Sequence, residues 1–238
     1  MQVGIANTYL AKGNLPHAQL ILDDVIMQAR DQEFDEVQGM ALHSRAALSS
    51  RRGNPAEGLK LAHDALSLTT NPAARDFVLG DIAAMFMELG IRDSARDAHL
   101  ILAATAQTKM LRWTATLNLM EIASIEGDEK TFDSYARELA QSPLGAWVRS
   151  HYLLLLGEGF SRFGRTEAGT EALQEAITYA NANQIHQVAF KAQAALEAVR
   201  LAPCPQPAFV PPPSWMPDDV DSVVRAIADL RKAAVAAS

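Results

Sequence analysis

The sequence predicts an all-α chain built from repeated helical hairpins, and two observations support this. About half of the 238 residues are apolar, and Ala and Leu dominate that set, whereas aromatic residues make up only 6% of the chain. Ala and Leu lose little conformational freedom on entering a helix, while β-branched residues lose more. The second observation is a glycine that recurs at intervals of 40, 37, 37 and 37 residues, at Gly13, Gly53, Gly90, Gly127 and Gly164. Regular spacing of this length is typical of stacked helical repeats.

Each of these glycines separates two helical patterns. Ahead of it, apolar residues recur at helical spacing, as in Leu79, Ile82 and Phe86. We expect the glycine itself to adopt the left-handed conformation that ends a helix. Behind it a second helix begins, and side-chain oxygens are available to cap its free N–H groups. The predicted N-caps are Asn14, Asn54, Asp128 and Thr166.

A small residue five positions after the glycine allows the two helices of a hairpin to cross closely. Four of the repeats have Ala18, Gly58, Ala95 and Gly169 at this position. The fourth repeat has Phe132 instead, and we therefore expect its hairpin to be splayed. Polar residues also interrupt the predicted core, with Arg45 and Ser49 in the second repeat and His99 in the third.

The order of these residues resembles the tetratricopeptide repeat family. That family has a small residue in the first helix, an aromatic residue three positions later, a glycine four positions after that, and an alanine in the second helix. The matching sets are Ala6, Tyr9, Gly13 and Ala18; Ala83, Phe86, Gly90 and Ala95; and Gly157, Phe160 and Gly164. The resemblance covers about residues 2–200 and implies a right-handed α-solenoid of about five hairpins. The repeats are longer than the usual 34 residues, as in bacterial signal-responsive regulators.

Three domains follow from this pattern. Residues 1–201 are the repeat array, whose final apolar stripe, Ile185 to Val199, resembles the extra helix that closes such arrays. Residues 202–218 hold seven of the eleven prolines and are either a semi-rigid spacer or a strap lying on the array. Residues 219–238 form an amphipathic C-terminal helix. We expect this tail to dock on the chain's own array, with a second copy or a partner protein as the alternatives. The docking residues would be Trp215, Val220, Val224 and Ile227.

The start of the chain suggests a covered surface. Ile5 and Tyr9 are apolar, and no polar cap precedes their helix. Terminal repeats normally present a polar outer face. We therefore expect either upstream residues or a partner to cover this end.

Composition and motifs argue against several classes of function. A net charge of −7 disfavours general binding to nucleic acid or to anionic lipid. No apolar run approaches the length of a membrane-spanning helix, and no signal peptide is recognisable. The single cysteine, Cys204, allows no internal disulfide and favours the cytoplasm. The six histidines form no zinc-binding pair, no phosphate loop follows a strand, and no catalytic triad is recognisable. We therefore expect neither an enzyme nor a cofactor or metal.

The resemblance implies a concave face, formed by the first helix of each hairpin, that binds a peptide or a partner protein. The residues that would line it are Asn7, His43, Arg51, Asp81, Glu88, Asn118, Glu121, His151, Glu158 and Arg162. The family members that clamp a peptide's terminal carboxylate use basic residues where this chain has Phe77 and Asp81. Because the later lining is net acidic, a basic or amphipathic protein ligand is expected. The leading hypothesis is an interaction scaffold that is either an adaptor or the sensing part of a larger regulator. A structural subunit that uses the array ends and the C-terminal helix is the alternative.

Overall fold

The computed structural model describes residues 1–201 and 217–236, and every regular element within these ranges is an α-helix. Within each compact part of the chain, helices that follow one another in sequence also pack against one another. This confirms the predicted all-α, solenoid-like class. The helices in chain order are α1 (Gln2–Ala11), α2 (Leu15–Asp31), α3 (Asp35–Arg51), α4 (Pro55–Leu68), α5 (Pro72–Glu88), α6 (Arg92–Thr105), α7 (Lys109–Glu126), α8 (Glu129–Ala140), α9 (Ala146–Arg162), α10 (Thr166–Ala182), α11 (His186–Leu201) and α12 (Asp218–Ala236).

The chain divides into two compact units. The first unit contains Met1–Gln107 and the described C-terminal residues, 217–236. The second contains the described residues 108–201. Each has apolar clusters of its own. One cluster of the first unit joins α1, α2 and α3, and that of the second unit runs from α7 to α11. The predicted single array over residues 1–201 stays a prediction, and the proline-rich segment lies almost entirely outside the described residues.

The five repeat glycines form the predicted turns. All have φ between 74° and 78°, which is the left-handed region. The residue after each glycine donates its backbone N–H to the carbonyl five positions earlier, at 2.8–3.0 Å, as Asn14 does to Tyr9. This bond satisfies a carbonyl that the ending helix leaves free. The prediction from the glycine spacing is therefore confirmed.

Two of the four predicted N-caps are confirmed. The Asn14 side chain accepts from the His17 N–H at 3.3 Å, and that of Asp128 accepts from the Thr131 N–H at 3.1 Å. Each bond satisfies a donor at the first turn of a helix that follows a repeat glycine.

The other two predicted caps behave differently. Asn54 occupies the cap position, but its side-chain amide donates to Glu57 at 3.0 Å instead of accepting from the helix. The prediction for Thr166 is wrong, because α10 begins at Thr166 and Arg165 is its N-cap. The Arg165 side chain does not cap the helix, because its guanidinium contacts α8 instead.

Arg165 joins α8 to the start of α10. Its guanidinium donates to both carboxylate oxygens of Asp133, at 2.9 and 2.7 Å, and also to Glu129. Paired donors of this kind match the planar fork of arginine to a carboxylate. The fork therefore ties the fourth and fifth hairpins together within the second unit.

The small residues after the repeat glycines lie at close helix crossings. A Cβ on Gly58 would stand 3.0 Å from the Ala46 carbonyl oxygen, and one on Gly169 would stand 3.0 Å from that of Gly157. Neither position therefore has room for a larger side chain without movement of the backbone opposite it.

Phe132, the large residue at this position in the fourth repeat, is fully buried in α8. Its ring lies against Gly159 of α9, where a Cβ would overlap the ring atoms Cε2 and Cζ. The ring also contacts Phe160 edge-on, with centroids 5.8 Å apart, and Phe163 at 5.3 Å. Gly159, in the first helix of the following hairpin, thus provides the space that the Phe132 ring needs.

The polar residues of the second repeat form a network. Arg45 donates to Asp23 at 3.0 Å and to Glu57 at 3.5 Å, and the buried Ser49 hydroxyl donates to Glu57. These contacts connect α2, α3 and α4 through polar groups that satisfy one another. Arg45 and Ser49 are therefore compatible with a packed hairpin, because buried polar groups cost little when they are hydrogen-bonded.

Candidate partner-binding faces

In the first unit, side chains of α3 and α5 bridge the two helices. His43 Nε2 lies 2.7 Å from Asp81 Oδ2, and the Ser50 hydroxyl donates to Glu88 at 2.8 Å. Both pairs are separated by 38 residues, close to the 37-residue repeat. Three predicted partner-binding residues, His43, Asp81 and Glu88, therefore hold neighbouring first helices together.

The other two predicted residues of this unit lie further toward α1. Arg51 Nη1 donates to the Leu10 carbonyl oxygen at 3.0 Å, which links α3 to the end of α1. Asn7 is exposed on α1. The structure therefore brings His43 and Asp81 into direct contact, while Arg51 contacts the backbone of α1.

Two exposed apolar residues lie on this face, and sequence reasoning missed one of them, Met40. Met40 stands three residues before His43, and Phe77 stands four residues before Asp81. Residues three or four apart share one face of a helix. Met40 and Phe77 therefore extend the face of the His43–Asp81 pair with apolar surface, and counting back one helical turn from His43 would have found Met40.

In the second unit, helices α7, α9 and α11 enclose a cleft of about 200 Å³, here called the Trp147 cleft. It contains four of the five partner-binding residues predicted for this part of the chain. Its lining residues are Thr114, Leu117, Asn118, Glu121, Trp147, His151, Leu154, Leu155, Glu158 and Lys191.

Trp147 provides an aromatic wall that the sequence analysis did not identify. Its half-exposed indole stacks on His151, with ring centroids 4.1 Å apart and an interplanar angle of 36°. His151 Nδ1 donates to the Trp147 carbonyl oxygen at 3.0 Å, which fixes the imidazole against the helix. Burial lowers the pKa of His151, so the neutral ring is favoured. Trp147 lies one helical turn before His151 in the sequence, and this spacing could have predicted that the two residues share a face.

The carboxylates of the cleft differ in their partners. Glu158 pairs with Arg162 at 3.4 Å, and Arg162 also donates to the Ser124 hydroxyl at 2.8 Å. The Glu121 carboxylate has no hydrogen-bond or ion-pair partner within residues 1–201 and 217–236. Burial, and next the negative charge of Glu158, raise the pKa of Glu121, while Arg162 and Lys191 act in the opposite direction.

The four carboxylates of the predicted lining differ in their neighbours. Asp81 is next to His43, Glu88 accepts from Ser50, and Glu158 pairs with Arg162. His43 and Ser50 lie on the adjacent helix α3, so counting charges along the sequence did not show these contacts. Glu121 is the carboxylate of the predicted set that has no hydrogen-bond or ion-pair partner among the described residues.

The predicted tail-docking residues lie in the first unit. Val220 and Ile227 are buried where α12 packs against α4 and α6, and Val223 is buried between them. Val224 is half-buried. Trp215, the fourth predicted residue, lies outside the described residues.

Comparison with protein-family models, with curated proteins and with solved structures finds no match for this chain. Within the described part of the chain, none of the helices combines the length and the apolar character needed to cross a membrane. The same ranges contain no group of three or more His, Cys, Asp or Glu side chains placed to hold a metal ion.

Proposed function

We propose that this chain is a protein-interaction scaffold of tetratricopeptide type, a right-handed solenoid of about five hairpins that binds a peptide or partner protein on its concave face. The regular left-handed glycine turns and the sequential helix packing support the repeat architecture. The lone Cys204 is typical of a cytoplasmic protein. In this proposal the chain acts as an adaptor or as the sensing part of a larger regulator.

The Trp147 cleft is the observation that carries this proposal. It combines an aromatic wall, the aliphatic side chains of Leu154 and Leu155, and the carboxylate of Glu121, which no described residue pairs with. A concave, mostly apolar site with a few polar groups is the usual form of a binding pocket. Glu121 is held inside the cleft, whereas Lys191 is exposed and can turn toward solvent.

The chemistry of the cleft fits a basic amphipathic ligand. The stem of a lysine or arginine can pack on the Trp147 indole while its charge reaches the Glu121 carboxylate. Both contacts gain strength when water is excluded, because a partly buried charge pair is screened less than an exposed one. The ligand's apolar residues would contact the leucines.

Charge reversal in the cleft is expected to weaken binding of a basic peptide. Two labelled model helices with the same apolar face, one lysine-rich and one glutamate-rich, are compared by fluorescence anisotropy. For the lysine peptide, the double variant Glu121→Lys/Glu158→Lys should lose about tenfold or more in affinity, since each reversal replaces attraction by repulsion.

The matched control changes the same charge elsewhere. Glu167→Lys/Glu171→Lys alters two exposed residues of α10 that do not line the cleft, and it should leave lysine-peptide binding nearly unchanged. Equal losses from both double variants would mean that only net charge matters. No loss from the cleft variant would rule out this cleft as the site.

Binding of the lysine peptide is also expected to depend on pH through Glu121. Its pKa lies above the ordinary 4.5, so the carboxylate is partly protonated at mildly acidic pH. Affinity should therefore rise as the pH is raised from 4.5 toward neutrality and Glu121 ionises. Titrations of binding at several pH values test this. Glu121→Gln should show weaker binding and should lose this part of the pH dependence.

A structural subunit is the second candidate, and one observation favours it. Leu20 and Met27 of α2 are 70% and 57% exposed, and Phe34, next to α3, is exposed as well. Large apolar side chains left exposed in this way often mark a protein interface. Light scattering of the full chain tests it. Self-association that Leu20→Glu/Met27→Glu abolishes would favour the subunit, whereas a monomer that binds the lysine peptide would favour the scaffold.

A further inference from the structure

The C-terminal helix α12 occupies a surface formed by α4 and α6, which are second helices of their hairpins. Three aliphatic side chains are buried in this contact, Val220, Val223 and Ile227. At the start of α12, Lys60 Nζ donates to Asp219 Oδ2 at 3.0 Å, and this contact raises the pKa of Lys60. The α4–α6 surface thus recognises an aliphatic stripe and an acidic first turn.

The contact leaves an open groove at its edge. Next to the second half of α12 lies a hollow of about 390 Å³ that is open to solvent, bounded on the α12 side by Ala226, Asp229 and Leu230. On the opposite side it is bounded by the end of α4 and by Arg75 of α5. The short Ala226 side chain leaves room there for a larger apolar residue, which would remove more apolar surface from water.

The small contact limits how firmly α12 can be held. Three of its 19 residues are buried, and a helix of this length is marginally stable by itself in water. Sixteen residues, 202–217, join it to α11. A tether of this length keeps α12 at a high effective concentration near its surface, even when the contact itself is weak.

We propose that the α4–α6 surface is a binding site for an amphipathic helix, and that α12 is its displaceable occupant. The partner is a helix with aliphatic residues at the spacing of Val220, Val223 and Ile227, an acidic first turn facing Lys60, and a larger apolar residue in place of Ala226. This site lies on second helices and does not depend on the proposed function of the first-helix face.

The test uses the full-length chain and a labelled synthetic peptide of residues 217–236. Ile227→Asp places a charge in the buried contact and should release the tethered helix. The peptide should then bind this variant at least about tenfold more tightly than it binds the wild-type chain, whose site is occupied. Ala233→Asp adds the same charge at an exposed position of α12 and should bind the peptide like wild type.

A second measurement covers the case in which Ile227→Asp impairs folding. The wild-type chain is mixed with excess peptide carrying Ala226→Leu, which fills the hollow and should bind about fivefold more tightly than the unchanged peptide. Hydrogen exchange of the chain's own α12 amides should then accelerate, while that of α4 and α6 should not.

Three outcomes would overturn the proposal. The first is equal binding of the peptide to the wild-type chain and the Ile227→Asp chain. The second is unchanged exchange of α12 at a saturating concentration of the Ala226→Leu peptide. The third is a stable dimer that Ile227→Asp dissociates, because α12 would then dock on a second copy.

Discussion

The Gly159→Ala variant is expected to be less stable than the wild-type chain by about 2–3 kcal/mol, although alanine is the better helix former. Alanine is favoured over glycine inside a helix by about 1 kcal/mol. At Gly159 this gain is outweighed, because the new Cβ would overlap the fully buried ring of Phe132. The ring cannot easily turn away, since Phe160 and Phe163 pack against it.

Denaturant unfolding followed by circular dichroism measures this loss, and the chain provides a matched control. At Gly80 of α5, the nearest atom to an added Cβ is Leu102 Cδ1 at 3.9 Å, an ordinary contact. Gly80→Ala should therefore be neutral or stabilising by about 0.5–1 kcal/mol. In the background of Phe132→Leu, the cost of Gly159→Ala should shrink markedly. Strict additivity of the two changes would contradict the proposed contact.

Phe132 shows what the sequence could and could not predict. The glycine turns were predictable because a left-handed residue at the end of a helix is a local property of the chain. The space for Phe132 is not local. It depends on Gly159, 27 positions later in another repeat, and inspection of one repeat at a time identifies Phe132 only as an exception.

Two further turns were also not predictable. Glu33, between α2 and α3, and Gln184, between α10 and α11, adopt left-handed conformations. Their φ angles are 57° and 60°, where glycine is the usual residue. Glutamate and glutamine side chains do not favour a left-handed conformation, so the residue type gave no signal. Hydrogen bonds around the turn, such as that of Phe34 N–H to Ala29 at 2.8 Å, hold the first of these residues there.

The candidate site was predictable as a set of positions but not as a set of charges. Register along the first helices placed Asn118, Glu121 and His151 in one cleft. The pairing of Arg162 with Ser124 requires the offset between adjacent helices, which is 38 residues here while the glycines are 37 apart. A shift of one residue changes which side chains face each other across two helices. The shift depends on how the helices pack, so the glycine spacing alone does not predict it.

His99 is expected to make the chain lose stability as the pH falls from 6.5 to about 4. Burial lowers the pKa of this histidine from 6.5 to about 4, so the folded chain resists taking up a proton that the unfolded chain accepts. The unfolded state therefore binds more protons across this window. The free energy of unfolding decreases as the pH is lowered. The full loss is about 3 kcal/mol, reached below both pKa values.

Comparing wild type with His99→Leu across this pH range isolates the histidine from the carboxylates. The pKa of Glu36 is lowered from 4.5 by the hydroxyl and backbone N–H of Thr70, so that group destabilises the fold only at lower pH. Within the described residues, His99 Nδ1 is buried without a hydrogen-bond partner. Leucine removes this unsatisfied atom and should stabilise the chain by about 1 kcal/mol at neutral pH. It should also flatten the decline between pH 6.5 and 4, and parallel curves for the two chains would show that His99 is protonated in the fold at little cost.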